Sequence, residues 1–259
     1  MTRLCVHELA AGYGRDQIVR NISLELAGGQ FAALVGPNGS GKSTLLKALA
    51  GVMDPMTGGV LIGAAPVGAL APRERARRLA YMPPDGASVW PLVARRAVAL
   101  GRIPHLAPLR DFSQDDQAAI VSALQRAGVF HLAERRIDTL SSGERARVML
   151  ARVLATGADI LLLDEPTSTL DPRHQLAVMD TLKAEADRGA IVIVAAHALD
   201  LVARYCDHVV LLEAGQVFAS GPPDHVLTEA HLADVFGASP PGGVQRSDWV
   251  LKPGRATET

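Results

Sequence analysis

The stretch Gly36-Pro37-Asn38-Gly39-Ser40-Gly41-Lys42-Ser43-Thr44 carries a G-x-x-x-x-G-K-S spacing between an apolar run, Phe31 to Val35, and a helix-favouring run, Leu45 to Ala50. It reads as a phosphate-binding loop. Its glycines let the backbone curl so that successive N–H groups point inward, and the helix that follows adds its positive end. Gly36, Asn38, Gly39, Ser40, Gly41 and Thr44 would then shape the cradle, Lys42 would reach the β- and γ-phosphates, and the Ser43 hydroxyl would hold Mg²⁺. A second constellation, Leu161-Leu162-Leu163-Asp164-Glu165-Pro166, places two carboxylates after an apolar run. Open α/β sheets bind ligands at such strand ends. Asp164 can hold the Mg²⁺ through water and Glu165 can polarise an attacking water, so the two motifs need one another for nucleotide hydrolysis.

The elements that must position these residues follow from periodicity. Residues 4–9 and 17–26 predict antiparallel strands joined by a loop at Ala11-Gly12-Tyr13-Gly14, where Tyr13 is suited to stacking on a base or sugar. A strand over 30–35, the phosphate loop and a helix over 43–50 come next, then a strand over 60–62 after Gly58-Gly59. Pro72 to Arg78 predicts a short helix whose arginines, Arg73, Arg75, Arg77 and Arg78, form a solvated face. A buried strand, Leu79 to Met82, runs into the sharp break Pro83-Pro84-Asp85-Gly86. From there to about Asp138 the pattern is helical, clearest at 93–100 and 114–127. Apolar runs at 160–163, 190–195 and 208–212 alternate with helices over 172–188 and 199–205, which implies a parallel sheet covered on both faces. A hairpin turn at 213–216 leads into a strand over 217–219. A helix over 224–236 precedes a polar, Pro/Gly-rich tail that ends in a short strand around Trp249 to Leu251.

With 259 residues, 48% of them hydrophobic, the chain can bury a large core as one big domain or as one domain carrying an insertion. Its 26 basic and 27 acidic residues nearly cancel and form no basic stripe, which argues against nucleic acid as a partner. Cys5 and Cys206 lack metal-ligand spacing and read as buried, unpaired thiols in a reducing compartment. The longest apolar run, Ala190 to Ala196, falls far short of the ~18 residues of a membrane span. The chain is therefore expected to be soluble alone and to meet a membrane only through a partner.

Leu140-Ser141-Ser142-Gly143-Glu144 precedes a helix, Ser168-Thr169-Leu170-Asp171 follows the carboxylates, and His197 follows a strand. With the phosphate loop, this order over residues 4 to about 236 resembles the nucleotide-binding subunits of ABC transporters. The resemblance implies an α/β fold: a P-loop NTPase core with a mostly parallel sheet, an antiparallel β subdomain at the N-terminus and an inserted helical subdomain. Residues 1–84 and 159–236 would form the core, 85–158 the helical subdomain with its signature motif, and 237–259 a tail, all within one ABC ATPase domain, 1–259. By the same resemblance Tyr13 stacks on the adenine of ATP. Ser141, Ser142, Gly143 and Glu144 close over the γ-phosphate held by a second copy in a head-to-tail sandwich, where backbone donors at a helix N-terminus suit an anion. Asp171 lines the dimer seam. His197 contacts the γ-phosphate and positions water, completing a catalytic set of Glu165, His197 and Lys42 with Mg²⁺ on Ser43 and Asp164.

Ala71 to Tyr81 and Val98 to His105 are similar to importers of iron chelates, haem and cobalamin. That implies integral membrane permeases, a periplasmic substrate-binding protein and a place on the cytoplasmic face of the inner membrane. Two positions depart from the family pattern. Pro84 stands where family members carry a glutamine that reaches the Mg²⁺ and the water, and proline offers neither an N–H nor a polar side chain; Asp85 is a candidate substitute. Ser142 stands for a glycine, a mild penalty if its φ is positive. Hydrolysis is expected to persist, slower or more loosely coupled. The rival readings are a soluble ABC ATPase of iron–sulfur assembly or DNA metabolism and a nucleotide sensor with weakened hydrolysis. A small P-loop kinase leaves Leu140 to Glu144 unexplained.

Overall fold

The computed structural model describes residues 2–84, 91–107, 111–237 and 244. The chain opens with two long strands, β1 (Arg3–Tyr13) and β2 (Asp16–Ala27), and then β3 (Phe31–Val35) delivers it to helix α1 (Lys42–Leu49). Strands β4 (Thr57–Ile62) and β5 (Ala65–Pro66), helix α2 (Pro72–Arg78) and strand β6 (Leu79–Met82) follow. A helical block comprises α3 (Ala94–Ala99), a 3₁₀ segment (Leu100–His105), α4 (Gln114–Arg126) and α5 (Ser142–Ala155). The chain then alternates β7 (Ile160–Asp164), α6 (Pro172–Asp187), β8 (Ile191–Ala195), α7 (Leu199–Tyr205) and β9 (His208–Glu213), and closes with β10 (Gln216–Gly221), α8 (Pro223–Val226) and α9 (Glu229–Phe236).

These strands form a four-stranded antiparallel sheet, β2-β1-β4-β5, and a six-stranded sheet, β10-β9-β3-β8-β7-β6. In the larger sheet β9, β3, β8, β7 and β6 are mutually parallel, while β10 turns back on β9. Alternate residues explain why its central strands are apolar throughout. Phe31, Ala33, Val35, Leu161, Leu163, Val192, Val194, Val209 and Leu211 face one hydrophobic layer with the helical block, α6 and α7. Their neighbours, Ala32, Leu34, Ile160, Leu162, Ile191, Ile193, Val210 and Leu212, face a second layer made with α1 and the antiparallel sheet. A strand buried on both faces favours apolar residues along its length, and Asp164 at the end of β7 is a buried exception.

The α/β fold with a mostly parallel sheet, an antiparallel N-terminal part and a helical insertion is the one anticipated. Several local expectations are corrected. β1 continues to Tyr13, so the turn is Gly14-Arg15, because backbone pairing persists to Tyr13↔Asp16 beyond the point where apolar alternation stops. The helix expected over 224–236 is broken: the Thr228 side chain accepts from the His231 N–H at 3.3 Å and starts a new helix there. Cys5 is only half-buried, whereas Cys206 is buried, and both are free thiols. Trp249 to Leu251, Asp85 and Gly86 lie outside the described residues.

The arginines of α2 are not simply a solvated face. Arg73 and Arg77 donate from Nε to the Pro104 carbonyl at 2.9 and 2.7 Å, and Arg78 donates to the Ile62 carbonyl at 3.3 Å. The 3₁₀ segment they grip is also bound to the helical block, since Arg102 pairs with Asp116 at 2.9 Å and donates to the Ala155 carbonyl at 2.9 Å. His105 Nε2 lies 2.8 Å from the Thr156 carbonyl, to which it must donate. Arg126 bridges α4 to both carboxylate oxygens of Glu185 on α6 at 2.8 Å and to the Leu154 carbonyl at 3.1 Å. The carbonyls at the end of α5, which have no intrahelical donors, are thereby satisfied by side chains from its neighbours.

The Arg102 and Asp116 side chains are 14% and 10% exposed. Arg102→Ala should therefore leave a buried carboxylate without its countercharge and lower unfolding free energy by about 3 kcal/mol, measured by chemical denaturation. A loss within ~0.5 kcal/mol, the range of ordinary surface changes, would show that the strap contributes little to the fold.

Candidate nucleotide site

Parallel pairing aligns the carboxyl ends of three neighbouring strands, with Leu34 of β3 and Asp164 of β7 both registered against Ala195 of β8. The segments that leave those ends bring Gly36 to Thr44, Asp164-Glu165 and His197 to one edge of the sheet. Position 36 admits only glycine: its φ is +149° and an added Cβ would lie 2.2 Å from the Leu212 carbonyl oxygen. Gly41, at φ +99°, is the left-handed residue from which α1 starts. The loop is stitched from inside, because Lys42 is 6% exposed and donates from Nζ to the carbonyls of Gly36 at 2.8 Å and Pro37 at 3.0 Å. Those bonds turn carbonyl groups toward the ammonium. Burial lowers the Lys42 pKa, while Glu165 and Asp164 push it back up.

Asp164 has no solvent exposure, and neither of its carboxylate oxygens has a hydrogen-bond partner. Burial pushes its pKa up and Glu165 adds to the rise, whereas Ser43, Lys47 and Lys42 pull it down. A buried carboxylate with both oxygens free beside a hydroxyl is a donor set that suits a hard divalent cation, and Mg²⁺ fits it. No group of three or more His, Cys, Asp or Glu assembles among the described residues.

Glu165 turns its side chain away from the strand through a left-handed backbone, φ +52°, a conformation that costs a non-glycine residue roughly 1–2 kcal/mol. Its N–H remains tied to the Ala195 carbonyl at 3.1 Å, and its Oε1 accepts from His197 Nε2 at 2.8 Å. The carboxylate and the imidazole are thus in direct hydrogen-bond contact. Tyr13 is 53% exposed; its hydroxyl accepts from Lys47 Nζ at 3.1 Å, and the same ammonium lies 5.8 Å from the ring centroid.

The signature residues stand elsewhere. Ser141 caps α5: its Oγ accepts from the Glu144 N–H at 3.2 Å, and the Glu144 carboxylate accepts from the Ser141 N–H at 2.9 Å. Those donors, backbone first and then hydroxyl, hold the Glu144 carboxyl below its usual range. Ser142 is the first residue of α5 and is not among the positive-φ residues. The penalty anticipated for it does not arise, because a first-turn helical φ suits any L-residue. Gly143 lies against Leu170, where an added Cβ would come 3.1 Å from Cδ2. Helix α5 packs on α3, α4 and β6. Strand β6 is three positions from β3 in the sheet, about 14 Å at the usual spacing. Asp171 caps α6, accepting from the His174 N–H at 3.0 Å and pairing with the His174 ring at 2.7 Å. Pro84 is exposed just after β6.

The fold therefore gathers the loop, Asp164, Glu165 and His197, and leaves Ser141 to Glu144 apart from them. Sequence reasoning missed Lys47 and Tyr81. Lys47 lies four residues after Ser43 on α1 and so shares its helix face, a signal that was available. The buried Tyr81 hydroxyl lies beside Asp164 through the pairing of β6 with β7, which no local pattern reveals.

A phosphate loop at the end of a central parallel strand, with a carboxylate pair two strands away on the same edge, defines a P-loop nucleoside triphosphatase. Within that class a family model described as ABC transporter matches residues 19–168, and the chain belongs to that family as an ATP-binding ABC ATPase. Similar proteins include the hemin import ATP-binding protein HmuV of Pseudomonas entomophila, 44% identical over 86% of this chain and 88% of that one. The ferric enterobactin transport ATP-binding protein FepC of Escherichia coli is 34% identical over 92% of this chain and 88% of its own length. Among solved structures, cbiO1 of Clostridium perfringens, part of the ABC transporter complex cbiONQ, superposes with a TM-score of 0.76 at 28% identity, covering 89% of this chain and 92% of that one.

Two substitutions test the cap geometry. Ser141→Ala should cost about 1 kcal/mol of stability, the usual worth of an N-cap, whereas Ser142→Gly should give no stabilisation. A Ser142→Gly variant that melts clearly higher would show that φ at this position is strained.

Proposed function

We propose that the chain is the ATP-hydrolysing subunit of an importer and energises uptake of an iron chelate, haem or a cobalamin-like molecule through membrane permeases. The observation that carries the hydrolytic part is the Glu165–His197 contact at 2.8 Å beside the unpartnered Asp164 carboxylate. The relatives' names, hemin import and ferric enterobactin transport, support the substrate class. In this reading the N–H groups of Gly36 to Thr44 and the Lys42 ammonium hold the triphosphate, Lys42 exchanging its loop carbonyls for phosphate oxygens. Tyr13 offers its exposed ring to the adenine. Ser43 and Asp164 hold Mg²⁺, which supplies charge neutralisation on the phosphates. Glu165 accepts the proton of the attacking water, and His197 orients Glu165 and approaches the γ-phosphate.

Ser141 to Glu144 serve the site of a second copy. Their separation from their own phosphate loop supports a head-to-tail dimer, with Ser142 and Gly143 presenting backbone donors and Asp171 near the seam. Residues 1–84 and 159–236 bind nucleotide, 85–158 close the partner's site, and 237–259 form a tail. The chain would act at the cytoplasmic face of the inner membrane, held by permeases served by a periplasmic binding protein, and it has no role with nucleic acid. Among the described residues no helix is long and apolar enough to cross a membrane, which agrees with association through partners. Pro84 favours a second reading, an ATP sensor with weakened hydrolysis, because nothing polar stands at that position.

Glu165→Gln should lower ATP turnover by roughly 10²-fold or more, the worth of a positioned base, and should accumulate an ATP-bound dimer on gel filtration. Full turnover in that variant would remove Glu165 from the mechanism. Copurification with polytopic permeases, and uptake of haem or a ferric chelate by the reconstituted complex, test the transport role; a chain that hydrolyses ATP and binds no membrane partner would support the soluble alternative. Pro84→Gln should raise the transport-coupled rate, and an unchanged rate would mean that another group already does this work.

A further inference from the structure

Beside Asp164 stands the Ser43 hydroxyl, and the charged side chains around it are already engaged. Lys42 spends its ammonium on the Gly36 and Pro37 carbonyls, Lys47 donates to Tyr13, and Glu165 accepts from His197. A carboxylate removed wholly from solvent needs a donor from the protein side. One buried hydroxyl on the adjacent strand is uncommitted. Tyr81 sits on β6 opposite Leu162, in the layer shared with α1 and the antiparallel sheet, and Asp164 follows Leu162 by two residues on that same face of β7. Its hydroxyl is buried and has no hydrogen-bond partner, the same condition as both oxygens of Asp164. A phenol, with an ordinary pKa of about 10, is protonated at neutral pH and can donate.

We propose that Tyr81 is a positioning residue of the nucleotide site, donating from its hydroxyl to one Asp164 oxygen so that the other is presented, in a fixed direction, to the hydrated Mg²⁺. This rests on the reading that Asp164 holds the cation. Partners of this kind fix the orientation of a ligating carboxylate, and their removal typically weakens metal affinity 10- to 100-fold. The role also bears on Pro84. The segment from Tyr81 to Pro84 leaves the sheet beside the site, and with proline at its end the Tyr81 hydroxyl is its polar side-chain group.

The test is equilibrium binding of a fluorescent ATP analogue to the full chain, with Mg²⁺ titrated from zero. Tyr81→Phe keeps the ring and removes the hydroxyl, and Asp164→Asn serves as the reference. Tyr81→Phe should raise the Mg²⁺ concentration at half-effect about tenfold while leaving metal-free nucleotide affinity unchanged. A wild-type Mg²⁺ midpoint in Tyr81→Phe, alongside a shifted midpoint in Asp164→Asn, would overturn the role of Tyr81 alone. Unshifted Asp164→Asn would overturn the cation reading beneath it. Loss of metal-free affinity in Tyr81→Phe would also count against the proposal, because the phenol would then be supporting the loop, not the carboxylate.

Discussion

A carboxylate with no exposure and no bonded donor, Asp164 at the end of β7, sets the terms for what surrounds it. Such a group is stable only where positive charge or hydroxyls stand nearby. The charge comes from α1, whose Lys42 and Lys47 both lower the Asp164 pKa against the effect of burial. α1 can approach because Gly41 starts the helix from a left-handed backbone. The loop that precedes it is held in shape by the same Lys42. The shape of the loop and the charge beside Asp164 thus follow from one electrostatic requirement at the sheet edge.

The position of Glu165 follows from its neighbour. A strand buried on both faces must end before a second carboxylate can reach solvent, and the left-handed residue at 165 makes that break in one step. Backbone pairing to Ala195 continues through the break, which brings His197, two residues beyond Ala195, into contact with Glu165.

The helical block is tied to the remainder by arginines. Arg73 and Arg77 grip the Pro104 carbonyl, Arg102 and His105 bind the end of α5, and Arg126 joins α4 to α6. These bonds position α5, and therefore Ser141 and Gly143 at its start, relative to the sheet. The block is also in contact with the segment after the carboxylates, through Gly143 and Leu170.

Much of this was legible in the sequence because it is local. Glycine spacing specifies the loop, and doubly apolar runs specify the parallel strands. The arginines of α2 misled because an arginine's partner is decided by what lies across the fold; here it is a carbonyl in a segment some thirty residues away. The broken helix at Thr228 misled because apolar spacing outweighs a single cap in a local reading. What the sequence determined by itself is the chemistry: a phosphate loop, a carboxylate pair and a signature segment, each defined by neighbouring residues. What only the tertiary structure decided is which of these meet. Strand order places β3, β8 and β7 side by side and β6 at the edge, so that Glu165 finds His197, Tyr81 comes beside Asp164, and Ser141 to Glu144 stand apart from their own loop. Strand order is set by the burial of both faces of the sheet at once, a long-range condition that no window of sequence contains.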